Sequence, residues 1–115
     1  MTLSKEKEQE YIQKVKRNPF YLEEIETQTS EICLEAVRRN GEALQYVKEQ
    51  TYELCLEAIR ENAYAIEAIE NPTEALWLEA IRQNAATVNF IKEPTPEFCM
   101  LAYEENPETI NYLNI

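Results

Sequence analysis

The sequence predicts an all-α fold, a short right-handed-type alpha-solenoid of about five stacked helical hairpins, on three observations. Thr29, Thr51, Thr73 and Thr95 stand 22 residues apart, and Asn18, Asn40, Asn62, Asn84 and Asn106 keep the same step; a fixed period of this length marks a repeat protein. Gly41 is the only glycine and aspartate is absent, so every acidic side chain is a glutamate, the better helix former. Between each Thr and the following Asn runs a wide apolar stripe at helical spacing, clearest in Leu54, Cys55, Leu56, Ala58 and Ile59.

The elements follow from these signals in order. Each Thr is a helix N-cap whose hydroxyl accepts from an orphan amide of the first turn, and Thr95-Pro96 adds proline at the favoured first helical position. Glu31, Glu53, Glu74 and Glu97 lie in those first turns, where they oppose the positive end of the helix dipole. The Asn that closes this helix opens a second one, because Asn18-Pro19 and Asn106-Pro107 repeat the cap-then-proline signal. The second helix carries an i,i+3 apolar pair: Leu22 and Ile25, Leu44 and Val47, Ile66 and Ile69, Val88 and Ile91, Ile110 and Leu113. A helix of roughly eight residues is unstable alone in water, so it is expected to pack on its partner and on neighbouring units.

The 115 residues are read as one domain, with a capping hairpin over 1–28 and repeats over 29–50, 51–72, 73–94 and 95–115. In the cap, Glu10 and Lys14 fall where other units have Ile32 or Leu54 and Ala36 or Ala58, which turns that face to water. The last short helix, Pro107 to Leu113, is followed by no further unit and brings Tyr112, Leu113 and Ile115 to the end of the chain. These residues either fold back on the last hairpin or form an edge for a homodimer or another partner.

Thr29 to Asn40 and Thr51 to Asn62 carry the pattern Thr-x-Glu-x-Cys-Leu-x-Ala-(Val/Ile)-x-x-Asn throughout. This resembles a family of short helical repeats of bacterial and phage proteins catalogued as a domain of unknown function. The third copy departs from it at Trp77 and the fourth at Tyr103. The resemblance implies the fold and brings no chemistry with it.

Chemistry is sparse in the chain itself. It has no histidine, no C-x-x-C, no Gly-rich phosphate loop and no serine in a nucleophile elbow, so no enzyme, cofactor or metal site is expected. Cys33, Cys55 and Cys99 share one repeat position, and equivalent positions of packed helices lie about 10 Å apart, beyond the roughly 7 Å a disulfide tolerates. Three free thiols point to a reducing cytoplasm, and no window approaches the roughly 20 apolar residues that span a bilayer.

Charge and aromatic placement point to a partner. Residues 1–18 hold five Lys and Arg against three Glu, leaving six against nineteen in residues 19–115. So acidic a body repels phosphates and argues against direct nucleic-acid binding, while it favours a protein with a basic surface. Glu35 with Arg38, Glu57 with Arg60 and Glu79 with Arg82 form an expected i,i+3 charge ladder. Tyr52 and Tyr64 lie off the apolar stripes, and Tyr46, Phe90 and Tyr112 share another repeat position. Trp77 stands where other copies have a cysteine, so its site has either free space or an open side. It reads as a core residue or as a binding anchor. The candidate partner-binding residues are Tyr52, Tyr64, Trp77, Glu104, Glu105 and Glu108. The leading expectation is a non-catalytic protein-protein interaction module; the alternative is a phage-type inhibitor of a host nucleic-acid-handling defence enzyme, such as an anti-CRISPR or anti-restriction protein, acting through its acidic surface.

Overall fold

Threonine and asparagine caps cut the chain into helices of two alternating kinds. The computed structural model describes residues 3–108. Among the described residues, five α-helices, α1 (Lys5–Arg17), α2 (Ser30–Arg39), α3 (Tyr52–Glu61), α4 (Glu74–Gln83) and α5 (Pro96–Glu105), alternate with four complete 3₁₀ helices, η1 (Pro19–Glu24), η2 (Gly41–Tyr46), η3 (Ala63–Ala68) and η4 (Ala85–Phe90). The described residues contain no strand. The expected helix over Pro107–Leu113, with Tyr112 and the terminal edge, falls mostly on residues 109–115, outside the described residues.

The caps act as their residue types dictate. The hydroxyls of Thr29, Thr51, Thr73 and Thr95 accept from the amides of Ile32, Leu54, Leu76 and Phe98 at 3.2–3.3 Å. Each asparagine serves two helices: Asn40 donates its N–H to Ala36 O at 3.0 Å to close α2, and its Oδ1 accepts from the Glu42 N–H at 2.9 Å to open η2. Asn18, Asn62 and Asn84 repeat this arrangement. One residue thereby satisfies orphan groups at two termini, one through its backbone N–H and the other through its side chain.

The second helix of each unit differs from the expected eight-residue helix. It is a six-residue 3₁₀ helix, and the i,i+3 apolar pair is the reason, because three residues per turn bring i and i+3 onto one line. Leu22, Ile25, Leu44, Val47, Ile66 and Val88 are buried by this register, while Ile69 and Ile91 are half-buried.

Consecutive α-helices lie side by side, consecutive 3₁₀ helices do the same, and each of α2 to α5 packs on the 3₁₀ helix before it. The molecule measures 54 × 24 × 17 Å along its principal axes. Ala36, Ala58, Ala80 and Ala102, one per unit, are all fully buried, so the helices approach closely along a row of methyl groups. Glu10 and Lys14, at the corresponding places of α1, are exposed and pair with each other at 3.5 Å. Gly41 is needed for the same close packing: a Cβ there would run into the carbonyl oxygen of Ala58 on α3.

The buried residues form one continuous cluster from Ile12 to Ala80 and a smaller one from Ile81 to Ala102. Trp77 packs against both. The charge ladder runs between units rather than chiefly within them. Arg38 pairs with Glu57 of the next helix at 3.6 Å and Arg60 with Glu79 at 3.8 Å, whereas Glu35 is taken by Arg39. Only Arg60 to Glu57, at 4.0 Å, keeps the expected i,i+3 spacing. The next rung would need a carboxylate where Leu101 stands, and no ion pair forms at Arg82 among the described residues. These exposed pairs contribute at most about 1 kcal/mol each.

Candidate partner-binding groove

Where a unit turns into the next α-helix, a glutamine ties neighbouring units together. Gln28 Nε2 donates to Leu22 O at 3.2 Å in its own 3₁₀ helix and to Tyr46 O at 2.8 Å in the following one. Gln50, one repeat on, donates to Leu44 O at 3.1 Å and Ala68 O at 3.0 Å. Gln28 also accepts through Oε1 from the Lys48 N–H at 2.9 Å and from the Cys33 thiol at 3.5 Å. Sequence reasoning missed this clamp, although the two glutamines keep the 22-residue step on which the rest of the pattern was recognised.

The third junction has Pro72 in place of the glutamine and Trp77 in place of the cysteine. Proline supplies no side-chain donor, and the indole lies where the clamp is missing. Trp77 is half-buried in a groove of about 460 Å³ lined by Ile66, Glu67, Ile69, Glu70, Pro72 and Phe90. Part of the ring joins the two apolar clusters and the rest faces the groove. Glu67 and Glu70 are exposed on its wall.

An aromatic pair extends this surface. Tyr64 meets Phe90 edge to face with ring centroids 5.6 Å apart, and Phe20 meets Tyr46 in the same way at 5.7 Å two units earlier. Both pairs join one 3₁₀ helix to the next. At the junction between them the two places are held by Glu42 and Ala68, which line a shallow hollow of about 370 Å³ with Tyr64, Ala65, Glu67 and Gln45.

The other expected site residues are not gathered here. Tyr52 is 53 % exposed at the start of α3 and lines neither hollow. Glu104 and Glu105 end α5 and Glu108 follows, all exposed, and none lines the groove. Sequence spacing gave no means of separating these glutamates from Glu67 and Glu70, since both sets sit on solvent faces. A further hollow of about 390 Å³ lies between Gln28, Cys33, Lys48 and Leu54, where Gln28 is taken up by the clamp and Lys48 Nζ donates to Glu26 O at 2.8 Å.

The described residues hold no group of three or more His, Cys, Asp or Glu side chains placed to ligate a metal. All three cysteines are free; Cys33 and Cys55 are buried and Cys99 is half-buried. Burial pushes the Cys33 thiol up to about 11 and moves Cys55 in the same direction. Iodoacetamide at neutral pH is therefore expected to label Cys99 well before Cys33 and Cys55 in the native protein, read by mass spectrometry of tryptic peptides. Because the folded chain holds the Cys33 proton more tightly than the unfolded one, this contribution to stability is full below about pH 8.5 and is lost as pH rises towards 11.

Comparison with known proteins bears on part of the chain. Residues 29–71 match the family model described as Domain of unknown function (DUF4116). No curated protein and no solved structure matches the chain. The DUF4116 match covers the two units that carry the Gln-Cys arrangement only in part, from Thr29 past Gln50 and Cys55, and stops one residue before Pro72. Ile66, Glu67, Ile69 and Glu70 fall inside it, while Pro72, Trp77 and Phe90, which give the groove its open aromatic wall, lie beyond it.

Proposed function

We propose that the chain is a non-catalytic protein-protein interaction module, a short right-handed-type alpha-solenoid that binds a basic partner protein through the groove around Trp77. The observation that carries this reading is the half-buried indole in a groove walled by Phe90, Ile69 and Pro72 and edged by Glu67 and Glu70. Tryptophan and tyrosine anchors dominate binding interfaces, and carboxylates around them select a cationic partner. The acidic balance of residues 19–115 supports the same choice by speeding encounter with a basic surface and disfavouring phosphates. In this reading the protein works without metal or cofactor, in the cytoplasm. No helix among the described residues is long and apolar enough to cross a membrane.

The test is affinity capture from the native host with the intact chain and with Trp77→Ala side by side, followed by mass spectrometry. A partner retained by the first and lost by the second, with association slowed by added salt, is the expected result. Partners retained equally by both would remove the groove from the mechanism. A nuclease or restriction enzyme as the Trp77-dependent partner would turn the reading into that of an acidic inhibitor.

A further inference from the structure

The register of the glutamine clamp says what the groove lacks. Gln28 fills the carbonyls of Leu22 and Tyr46, and Gln50 fills those of Leu44 and Ala68. One repeat on, the corresponding acceptors are Ile66 O and Phe90 O, and the residue that would fill them is Pro72. Ile66 O keeps its bond from the Ile69 N–H at 3.1 Å, as Leu22 O keeps that from Ile25, but among the described residues no side-chain amide reaches it and no donor reaches Phe90 O. Ile66 and Phe90 both line the groove with Trp77, Glu67 and Glu70.

We propose that this groove takes the guanidinium of an arginine on the basic partner. The inference rests on the interaction-module reading above and names the side chain that the module recognises. In the first two junctions a single planar NH₂ group, with two hydrogens, serves two carbonyls from one nitrogen. A terminal NH₂ of a guanidinium has that same planar form, so it supplies from the partner the donor that Pro72 removed from the chain. Its face stacks on an indole, which Trp77 provides, and its charge is balanced by carboxylates, which Glu67 and Glu70 provide. A lysine ammonium is compact and strongly hydrated and matches the two carbonyls less well.

Trp77 is the only tryptophan, so its fluorescence reports on this groove alone. The probes are blocked pentapeptides with a central arginine, lysine or citrulline between glycines, titrated at low salt. The arginine peptide is expected to change the Trp77 emission saturably, with the neutral citrulline peptide about tenfold weaker and the lysine peptide in between. Pro72→Gln restores the clamp and is expected to weaken the arginine response about tenfold while leaving the circular dichroism unchanged and the melting temperature no lower. Should Trp77 obstruct the new glutamine, Pro72→Gln with Trp77→Cys reinstates the pair that Gln50 and Cys55 form one repeat earlier, with Trp77→Cys alone as its reference and amide spectra as the readout; weaker binding by the double variant than by that reference supports the proposal. Equal binding of arginine and citrulline peptides, or undiminished binding by the folded double variant, overturns it. If the arginine peptide is silent while a captured partner still requires Trp77, the guanidinium assignment falls and the interaction reading stands; if neither depends on Trp77, both fall.

Discussion

Ala58→Leu is expected to lower stability by about 1–3 kcal/mol, a fall in melting temperature of roughly 4–20 °C for a chain of this size. Ala58 is fully buried on α3, and its carbonyl oxygen lies so near Gly41 that a single added carbon there already collides. Three more side-chain carbons at residue 58 must therefore separate α3 from its neighbours or force rotamers off their minima. Glu57→Gln, one residue away, alters only the pairs to Arg38 and Arg60 and should cost less than about 0.5 kcal/mol. Thermal melts of the two variants check the packing register directly; similar losses in both would contradict it.

Trp77→Ala is expected to act on binding and folding together. The half-buried ring should cost less in stability than the roughly 3–5 kcal/mol of a fully buried tryptophan, while loss of the groove anchor should raise the partner's dissociation rate by the equivalent of about 2 kcal/mol or more. Glu67→Gln and Glu70→Gln should instead slow association, and more so at low salt. Melting temperature and surface-bound kinetics on the same preparations separate the two effects.

Much of the fold was legible because its signals are local. The Thr and Asn caps, the apolar stripes and the row of alanines all follow from residue type at a fixed step, and each is present where the spacing put it. The 3₁₀ helices were half legible: the i,i+3 pairs held their period, but spacing alone did not give the six-residue length. The ladder shows where sequence distance fails. Arg38 reaches Glu57 because neighbouring helices are offset, and that offset is a property of packing.

The groove was less legible than the fold for a related reason. Whether a tryptophan in a cysteine's place is buried depends on what leaves to make room, and the residue that leaves, a glutamine, is five positions earlier and binds carbonyls in two different units. Tyr52, Glu104, Glu105 and Glu108 stand out in the sequence only by exposure and charge, which are too common on a helical surface to mark a site. Tyr64 and Trp77 join the same surface through Phe90, which touches the ring of one and lines the groove of the other, and through Glu67, which lines both hollows.

Amide chemical-shift mapping of the captured partner on the isotopically labelled chain tests the central claim most directly. Binding at the groove predicts perturbations concentrated at Tyr64, Ile66 to Glu70, Trp77 with its indole N–H, and Phe90. Perturbations centred instead on Met100, Tyr103, Glu104 and Glu105 of α5, with the Trp77 indole signal unmoved, would contradict it.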